Sequence, residues 1–319
     1  MAFRGKKDNY IPLSTRFQAW WDGVDARELA EYKRLRSAAP DPLAIEVDEE
    51  PDEDDGKRWP ERRVAFCRRL FDIAEEDETV QPGGADYTLW LVKPMSLNSE
   101  QNAADLSAGL GGGTRKVSKE LGLYIDGYES DPELAELAME LSRRHGMDKK
   151  VAVTPFDPDD FTLPAGRYNG ILTRERAYRI RNKAKYLETI CNALRPRGHI
   201  ILTDFVLASP NDELSPIVEA WKDREAAEFT LWTADDYRKT LTAQRMDVRI
   251  IKDETEEFRQ ILLKAWTKLA TSLDKGELTR EFVNTMMHEA EYWLILIKAM
   301  EMGKIKYYRF HGIRGGETM

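Results

Sequence analysis

Asp105-Leu-Ser-Ala-Gly-Leu-Gly-Gly-Gly113 is the stretch that decides the fold of this chain. A short apolar run, Ala103–Leu106, leads into it, and a helix is expected to open at about Thr114. Glycines let the backbone turn tightly and come close to a ligand, and the start of the helix adds free N–H groups. A strand, a glycine-rich turn and a helix together form the phosphate- and ribose-binding corner of open α/β sheets. NAD-binding proteins share that corner, so the loop alone does not choose among nucleotide-like ligands.

Reading outward, short apolar runs recur at Leu123–Tyr128, Val151–Phe156, Tyr168–Leu172, His199–Val206 and Val248–Ile251, with amphipathic segments of helical period between most of them. The alternation predicts an α/β domain with a mostly parallel sheet and helices on both faces. Asp131 is placed to cap one helix, Pro132 suits its first turn, and Leu134, Leu137, Ala138 and Leu141 form its apolar stripe. Thr233 to Asp236 reads as a capping box ahead of Tyr237 and Leu241. Two long helices are expected near Thr255–Leu273 and Leu278–Met302. On the second, Phe282, Met286, Met287, Ala290, Trp293, Leu294 and Ile297 make a stripe read as core. Lys304–Ile313 is expected to close the sheet.

Two acidic residues sharpen the reading of the loop. Glu129 ends the second strand 24 residues after Asp105, close to the spacing at which a carboxylate meets ribose hydroxyls. Asp157 ends the third strand, within reach of an adenine amino group.

Residues 1–80 read as a helical extension. Trp20, Trp21, Val24, Leu29 and Tyr32 supply apolar positions until the run Ala38–Pro42 stops the first helix; an acidic linker occupies 46–55, and a second helix runs from Trp59 to about Ala74. The binding domain is assigned to 81–254, a helical insertion to 255–303, and the closing strand and tail to 304–319.

With 319 residues and a net charge of −9, the chain has no general electrostatic footprint for nucleic acid. Cys67 and Cys191 sit in amphipathic patterns and are read as buried thiols. His145, His199, His288 and His311 are scattered, without metal-ligand spacing, and no nucleophilic triad can be assembled. No run of about 18 apolar residues occurs, so a soluble, cytoplasmic protein without a membrane span is expected.

The loop 105–113, Glu129, Asp157 and Leu194-Arg-Pro-Arg-Gly198 together resemble the motif series of the class I S-adenosylmethionine-dependent methyltransferases. The resemblance spans about Pro82 to Ile313 and implies a Rossmann-like, seven-stranded sheet with S-adenosylmethionine or S-adenosylhomocysteine as ligand. Within that superfamily the pattern is similar to the phosphoethanolamine and small-molecule N-methyltransferases. Pro82-Gly83-Gly84-Ala-Asp-Tyr-Thr88 resembles their Ser-Gly-Gly-x-x-x-Thr, Gly109–Gly113 their Gly-x-Gly-Gly-Gly, and Thr173-Arg174-Glu175 their Ser-Arg-Asp. The resemblance implies that Asp105 and the Ser107–Gly111 backbone, with Gly109 and Gly111, hold the methionine end. It likewise places Glu129 and Ser130 at the ribose, Asp157 at the adenine, and Thr173 and Arg174 in the pocket wall. Ser107 stands where the family loop has its first glycine, and Arg197 replaces a common glycine after Pro196.

The acceptor side departs from that group. Its Tyr–His pair falls at Thr79 and Arg179, its phosphate-holding tyrosines at Phe205 and Phe229, and its arginine at Ala227. A basic run stands there instead: Arg174, Arg176, Arg179, Arg181, Lys183 and Lys185. It reads either as an anion-binding surface for an acidic acceptor or as a solvated helix start. Glu175, Arg176 and Arg179 are the catalytic candidates; Glu175 is suited to orient an amine, Asp204 sits at the fifth strand's end, and either carboxylate also reads as a helix cap. Two functions follow: a methyltransferase acting on a small molecule, an acidic one where the basic run binds anions, or a cofactor-binding protein without catalysis that serves as sensor or assembly component. The extension reads as an acceptor lid or as a homodimer interface. The replaced residues predict that phosphoethanolamine is not methylated; a labelled-methyl assay showing turnover of that substrate would overturn this expectation.

Overall fold

The computed structural model describes residues 15, 19, 25, 27–31, 59–72, 78–225 and 229–316. The linker 46–55, Trp20, Trp21 and Ala227 lie outside the described residues. Residues 27–31 are helical. Helix α1 spans Glu61–Phe71 and α2 spans Gly84–Val92. Then come β1 (Asn102–Asp105), α3 (Gly112–Leu121), β2 (Tyr124–Glu129), α4 (Pro132–Arg144), β3 (Val151–Pro155) and β4 (Tyr168–Arg174). The chain continues through α5 (Lys183–Ala193), β5 (Leu194–Leu207), α6 (Pro216–Lys222), α7 (Ala234–Ala243) and β6 (Met246–Asp253). Helices α8 (Thr255–Ser272) and α9 (Arg280–Glu301) precede the last strand, β7 (Ile305–Arg314).

The seven strands lie in the order β3-β2-β1-β4-β5-β7-β6. The first five pair in parallel, and β7 enters antiparallel between β5 and β6. The order reverses beside β1, so the carboxyl ends of β1 and β4 open a crevice where ligands settle in such sheets. Apolar residues of α5 and α7, among them Leu187, Ile190, Tyr237 and Leu241, cover one face. On the other, Leu91 and Val92 of α2 and Val117 of α3 pack on Ala103, Ile125 and Ile201. The expected α/β architecture with helices on both faces is therefore present.

Local signals place the helix starts. Asp131 accepts the Leu134 N–H at 3.0 Å, and Thr233 and Asp236 form a reciprocal capping box on α7. Helix α3 opens at Gly112, two residues before the expected Thr114, because Gly111 already adopts the left-handed conformation that precedes it. Strand β5 begins at Leu194 rather than His199: a bulge against β4 takes up the polar residues that its apolar run omits. Within that stretch Arg197 has φ +65°, the conformation that makes glycine common at this position.

The stripe read on α9 needs one correction. Met286, Ala290, Trp293 and Ile297 are buried, but Leu294 faces solvent while Tyr292, Ile295 and Leu296 are buried. The helix lies between two cores, one with β5, β7 and α6 and one with α1 and α8, so its buried surface is wider than a single stripe. Both cysteines are free and buried. No helix among the described residues is long and apolar enough to cross a membrane.

Two of the four scattered histidines meet across β5 and β7. His199 Nδ1 lies 3.0 Å from His311 Nε2, with the rings stacked. Burial, then the neighbouring His199 and arginine charges, pushes the His311 imidazole down to about 4. The unfolded chain therefore binds a proton near pH 6.5 that the folded protein refuses until about pH 4, so this residue's contribution falls as pH drops through that window. Between pH 7.5 and 5, wild type is expected to lose about 2 kcal/mol more stability than His311→Gln. Urea unfolding at the two pH values measures the difference, and equal losses would refute the assignment.

Candidate active site

The glycine loop is held from beneath by one carboxylate. Asp105 ends β1 and is buried; its Oδ1 accepts from the Ser107 N–H at 3.0 Å and the Ser107 hydroxyl at 2.9 Å, and its Oδ2 accepts from the Thr114 hydroxyl at 2.8 Å. Burial pushes this carboxyl up, against the pull of those donors. Ser107 Oγ also accepts the Arg174 N–H at 2.9 Å, which ties the loop to the end of β4. The serine at the family's glycine position thus has a structural function here. Gly109 and Gly111 have φ of +55° and +79°. At Gly113 the need is for space: a Cβ would stand 2.4 Å from Thr88 Oγ1 of α2.

Glu129, at the carboxyl end of β2, faces the loop. Its carboxylate accepts from the Gly109 N–H at 3.0 Å, the Ser130 N–H at 2.7 Å, the Ser130 hydroxyl at 3.1 Å and the Asp131 N–H at 3.2 Å. Arg176 closes over it, one Nη lying 2.8 and 3.0 Å from the two carboxylate oxygens and the other donating to Ser130 Oγ. Burial opposes ionisation of Glu129, but Arg176 and the backbone donors outweigh it and hold the carboxyl below its usual range.

The segment after β4 supplies the opposite wall. Arg174 donates to Thr88 Oγ1 and to the Pro82 carbonyl, both at 2.8 Å, so the Pro82–Thr88 element braces this arginine. Glu175 has φ +44° and accepts from the Thr203 hydroxyl at 2.9 Å and from the Tyr307 hydroxyl. Arg179 pairs with Glu225 at 2.6 Å, and that same carboxylate accepts from the hydroxyls of Tyr178 (2.8 Å) and Tyr292 (2.6 Å). Burial works against the Glu225 charge, yet the Arg179 guanidinium and the two hydroxyls keep its carboxyl low. Tyr178 itself is buried against Phe205, Trp221 and Phe229.

These residues enclose a cavity of about 80 Å³. Gly109, Glu129, Arg174, Glu175, Arg176 and Arg179 line it, so six of the residues singled out from the sequence come together. Asp105 and Ser107 stand behind the loop rather than on the cavity wall. Thr173 turns away, its hydroxyl 2.9 Å from that of Tyr186. Asp157 is exposed and accepts the Asp159 N–H at 2.9 Å. Asp204 caps no helix; it is buried within β5 and accepts from the Tyr237 hydroxyl at 2.6 Å.

The basic run does not form one basic wall. Arg181 and Lys185 are exposed beside Asp159 and Asp160, and Lys183 is buried with its ammonium on the Ile180 carbonyl. The three arginines of the run that face the cavity are matched by Glu129, Glu175 and Glu225, and a fourth lining arginine, Arg63 of α1, is set against Glu289 of α9. Even so, the Nε atoms of Arg174, Arg176 and Arg179 are buried without a hydrogen-bond partner among the described residues. Sequence reasoning missed Glu225, Glu289, Arg63 and Tyr292. Tyr292 adjoins the α9 stripe, but nothing in the local pattern singles out the other three.

The order of the seven strands and the loop–Glu129 pairing define a class I methyltransferase fold. Residues 92–248 match the family described as a methyltransferase domain. The chain is 23% identical over 199 residues to a phosphoethanolamine N-methyltransferase of Plasmodium falciparum, covering 61% of this chain and 71% of the relative. It is 24% identical over 200 residues to phosphoethanolamine N-methyltransferase 1 of Zea mays, covering 62% of this chain but 38% of the relative. The fold is shared with Haemonchus contortus phosphoethanolamine N-methyltransferase 2 solved with S-adenosyl-L-methionine, at a TM-score of 0.73 and 17% identity, over 82% of this chain and 59% of that one. Over residues 92–248 this chain matches the methyltransferase-domain family, and its seven-stranded sheet has the fold of the class I S-adenosylmethionine-dependent methyltransferases.

Glu225 is buried among three donors, so its loss strands a guanidinium beneath the cavity. Glu225→Ala is expected to cost about 3–5 kcal/mol, the scale for breaking a buried ion pair. Thermal unfolding tests this, and a change below ~1 kcal/mol would show that the cluster is not structural.

Proposed function

We propose that this protein binds S-adenosylmethionine and transfers its methyl group to a small molecule carrying a carboxylate or phosphate. One observation carries the reading: Glu129, the Gly109 N–H and three arginines with unpartnered buried Nε atoms face a single cavity at the crevice of the sheet.

The residues present fit the cofactor. In this reading Glu129 and Ser130 hold the ribose hydroxyls, the Ser107–Gly111 backbone the methionine end, and Asp157, two residues beyond β3, the adenine. Asp105 acts through the loop it fixes, and Thr173 through Tyr186, while Arg174 forms the wall. The cofactor supplies an electrophilic methyl group, so the protein's task is chiefly to position the acceptor and exclude water. Arg174, Arg176 and Arg179 offer donors to an oxyanion, and the aromatic rings of Tyr178, Phe205, Tyr292 and Trp293 keep that space dry. Glu175, held by Thr203 and Tyr307, is fixed in place to orient the acceptor's nucleophilic atom.

A second reading has its own observation. Tyr178 and the Glu225 cluster fill much of the acceptor side, and the whole cavity, with its Gly109 and Glu129 corner, amounts to about 80 Å³, which suits a cofactor-binding protein without catalysis. Methyl transfer from labelled S-adenosylmethionine to a panel of small carboxylates and phosphate esters separates the two. Transfer to an acidic acceptor supports the enzyme, transfer confined to neutral acceptors removes the oxyanion, and cofactor binding with no transfer to any acceptor favours the second reading.

Glu129→Ala is expected to weaken S-adenosylmethionine binding by about 1.5–3 kcal/mol, the scale of hydrogen bonds to a charged group. Calorimetry showing unchanged affinity would remove Glu129 from the ribose.

A further inference from the structure

We propose that Arg176 is a cofactor-displaced latch: it occupies the acceptor capacity of Glu129 until the ribose arrives, and once displaced it binds the acceptor's oxyanion. The inference rests on the cofactor reading above. Its premise is the saturation of one carboxylate. Glu129 offers about four lone-pair sites, and it already receives the Gly109, Ser130 and Asp131 N–H groups, the Ser130 hydroxyl and an Arg176 Nη. The three backbone donors belong to the glycine loop and to the turn that opens α4, and they cannot leave without dismantling both. Arg176 is the removable donor, a long side chain from a short turn, whose two Nη groups have hydrogen-bond partners only in Glu129 and Ser130 among the described residues.

The other cavity arginines are fixed by partners that a ribose does not contest. Arg174 is bound to Thr88 and the Pro82 carbonyl, Arg179 to Glu225 and Arg63 to Glu289. When ribose hydroxyls take Glu129, Arg176 alone becomes an uncompensated buried cation. It still lines the cavity beside Arg179, whose Nε is unpartnered, so the two present donors to a carboxylate or phosphate. An oxyanion that holds the displaced guanidinium then favours the open latch, and by linkage it strengthens cofactor binding by the same factor as the cofactor strengthens its own. The acceptor therefore follows the cofactor.

Calorimetric titration of S-adenosylhomocysteine, with and without inorganic phosphate as the oxyanion probe, tests the latch in the full-length protein. Arg176→Met is expected to bind S-adenosylhomocysteine at least about fivefold more tightly than wild type in phosphate-free buffer, because no ion pair has to open. Phosphate is expected to tighten binding by wild type and to leave Arg176→Met unchanged. In a Glu129→Gln background the Arg176→Met gain should largely vanish, which a merely structural arginine would not produce. A folded Arg176→Met protein that binds no more tightly than wild type, or an equal phosphate effect in both, overturns the proposal. If Arg176→Met does not fold by its melting profile, Arg176→Gln carries the same comparisons. If wild type and variants alike bind no S-adenosylhomocysteine, the cofactor reading fails instead of the latch.

Discussion

A single buried carboxylate organises the binding corner. Asp105 ends β1 and accepts from Ser107 and Thr114, while Ser107 Oγ reaches the backbone of Arg174. Strand, loop, helix start and neighbouring strand are thereby held by one group that has no access to water. An unpaired carboxylate at that depth would be costly, so the donors must stay where they are. Everything that faces the cavity hangs from this arrangement: Gly109 presents its N–H to Glu129 because the loop cannot relax, and Arg174 is aimed at Thr88 because its backbone is fixed.

Above that corner the charges are arranged as close pairs. Arg63–Glu289, Arg176–Glu129 and Arg179–Glu225 each join elements far apart in sequence. Pairs of this kind contribute little net stability compared with apolar packing, but removing one partner is expensive. Their value lies in specificity of arrangement: they set helices α1 and α9 and the segment after β4 at defined positions around a small cavity. The aromatic cluster of Tyr178, Phe205, Trp221 and Phe229 stands behind these pairs and limits water in the space they surround.

Much of the scaffold was legible from local chemistry. The capping residues Asp131 and Thr233, the glycines at 109 and 111, and the alternation of apolar runs act over a few residues, and such signals survive in a one-dimensional reading. Boundaries failed where a tertiary feature intervened: the bulge that extends β5 back to Leu194, and the second core that buries Tyr292 and leaves Leu294 in solvent. Of the candidate site, Glu129 and the arginines at 174, 176 and 179 were recognisable because each stands at a strand end or within a few residues after it. Glu225, Glu289 and Arg63 were not, since a lone charged residue on a helix or loop looks the same whether it faces water or a buried partner.

The sequence by itself determined the sheet class, the binding corner and the kind of ligand that corner accepts, because spacing along the chain sets which residues stand at the carboxyl ends of adjacent strands. Only the tertiary structure decided what the charged residues do. Read along the chain, Arg174 to Lys185 is a basic run; in the fold its members point in different directions, three into the cavity, two to solvent and Lys183 into the protein. Apart from the adjacent Glu175, their carboxylate partners arrive from β2, from the turn after β3 and from the segment before α7. Charge compensation depends on distances of about 3 Å between groups tens to hundreds of residues apart, and no local pattern encodes such a distance.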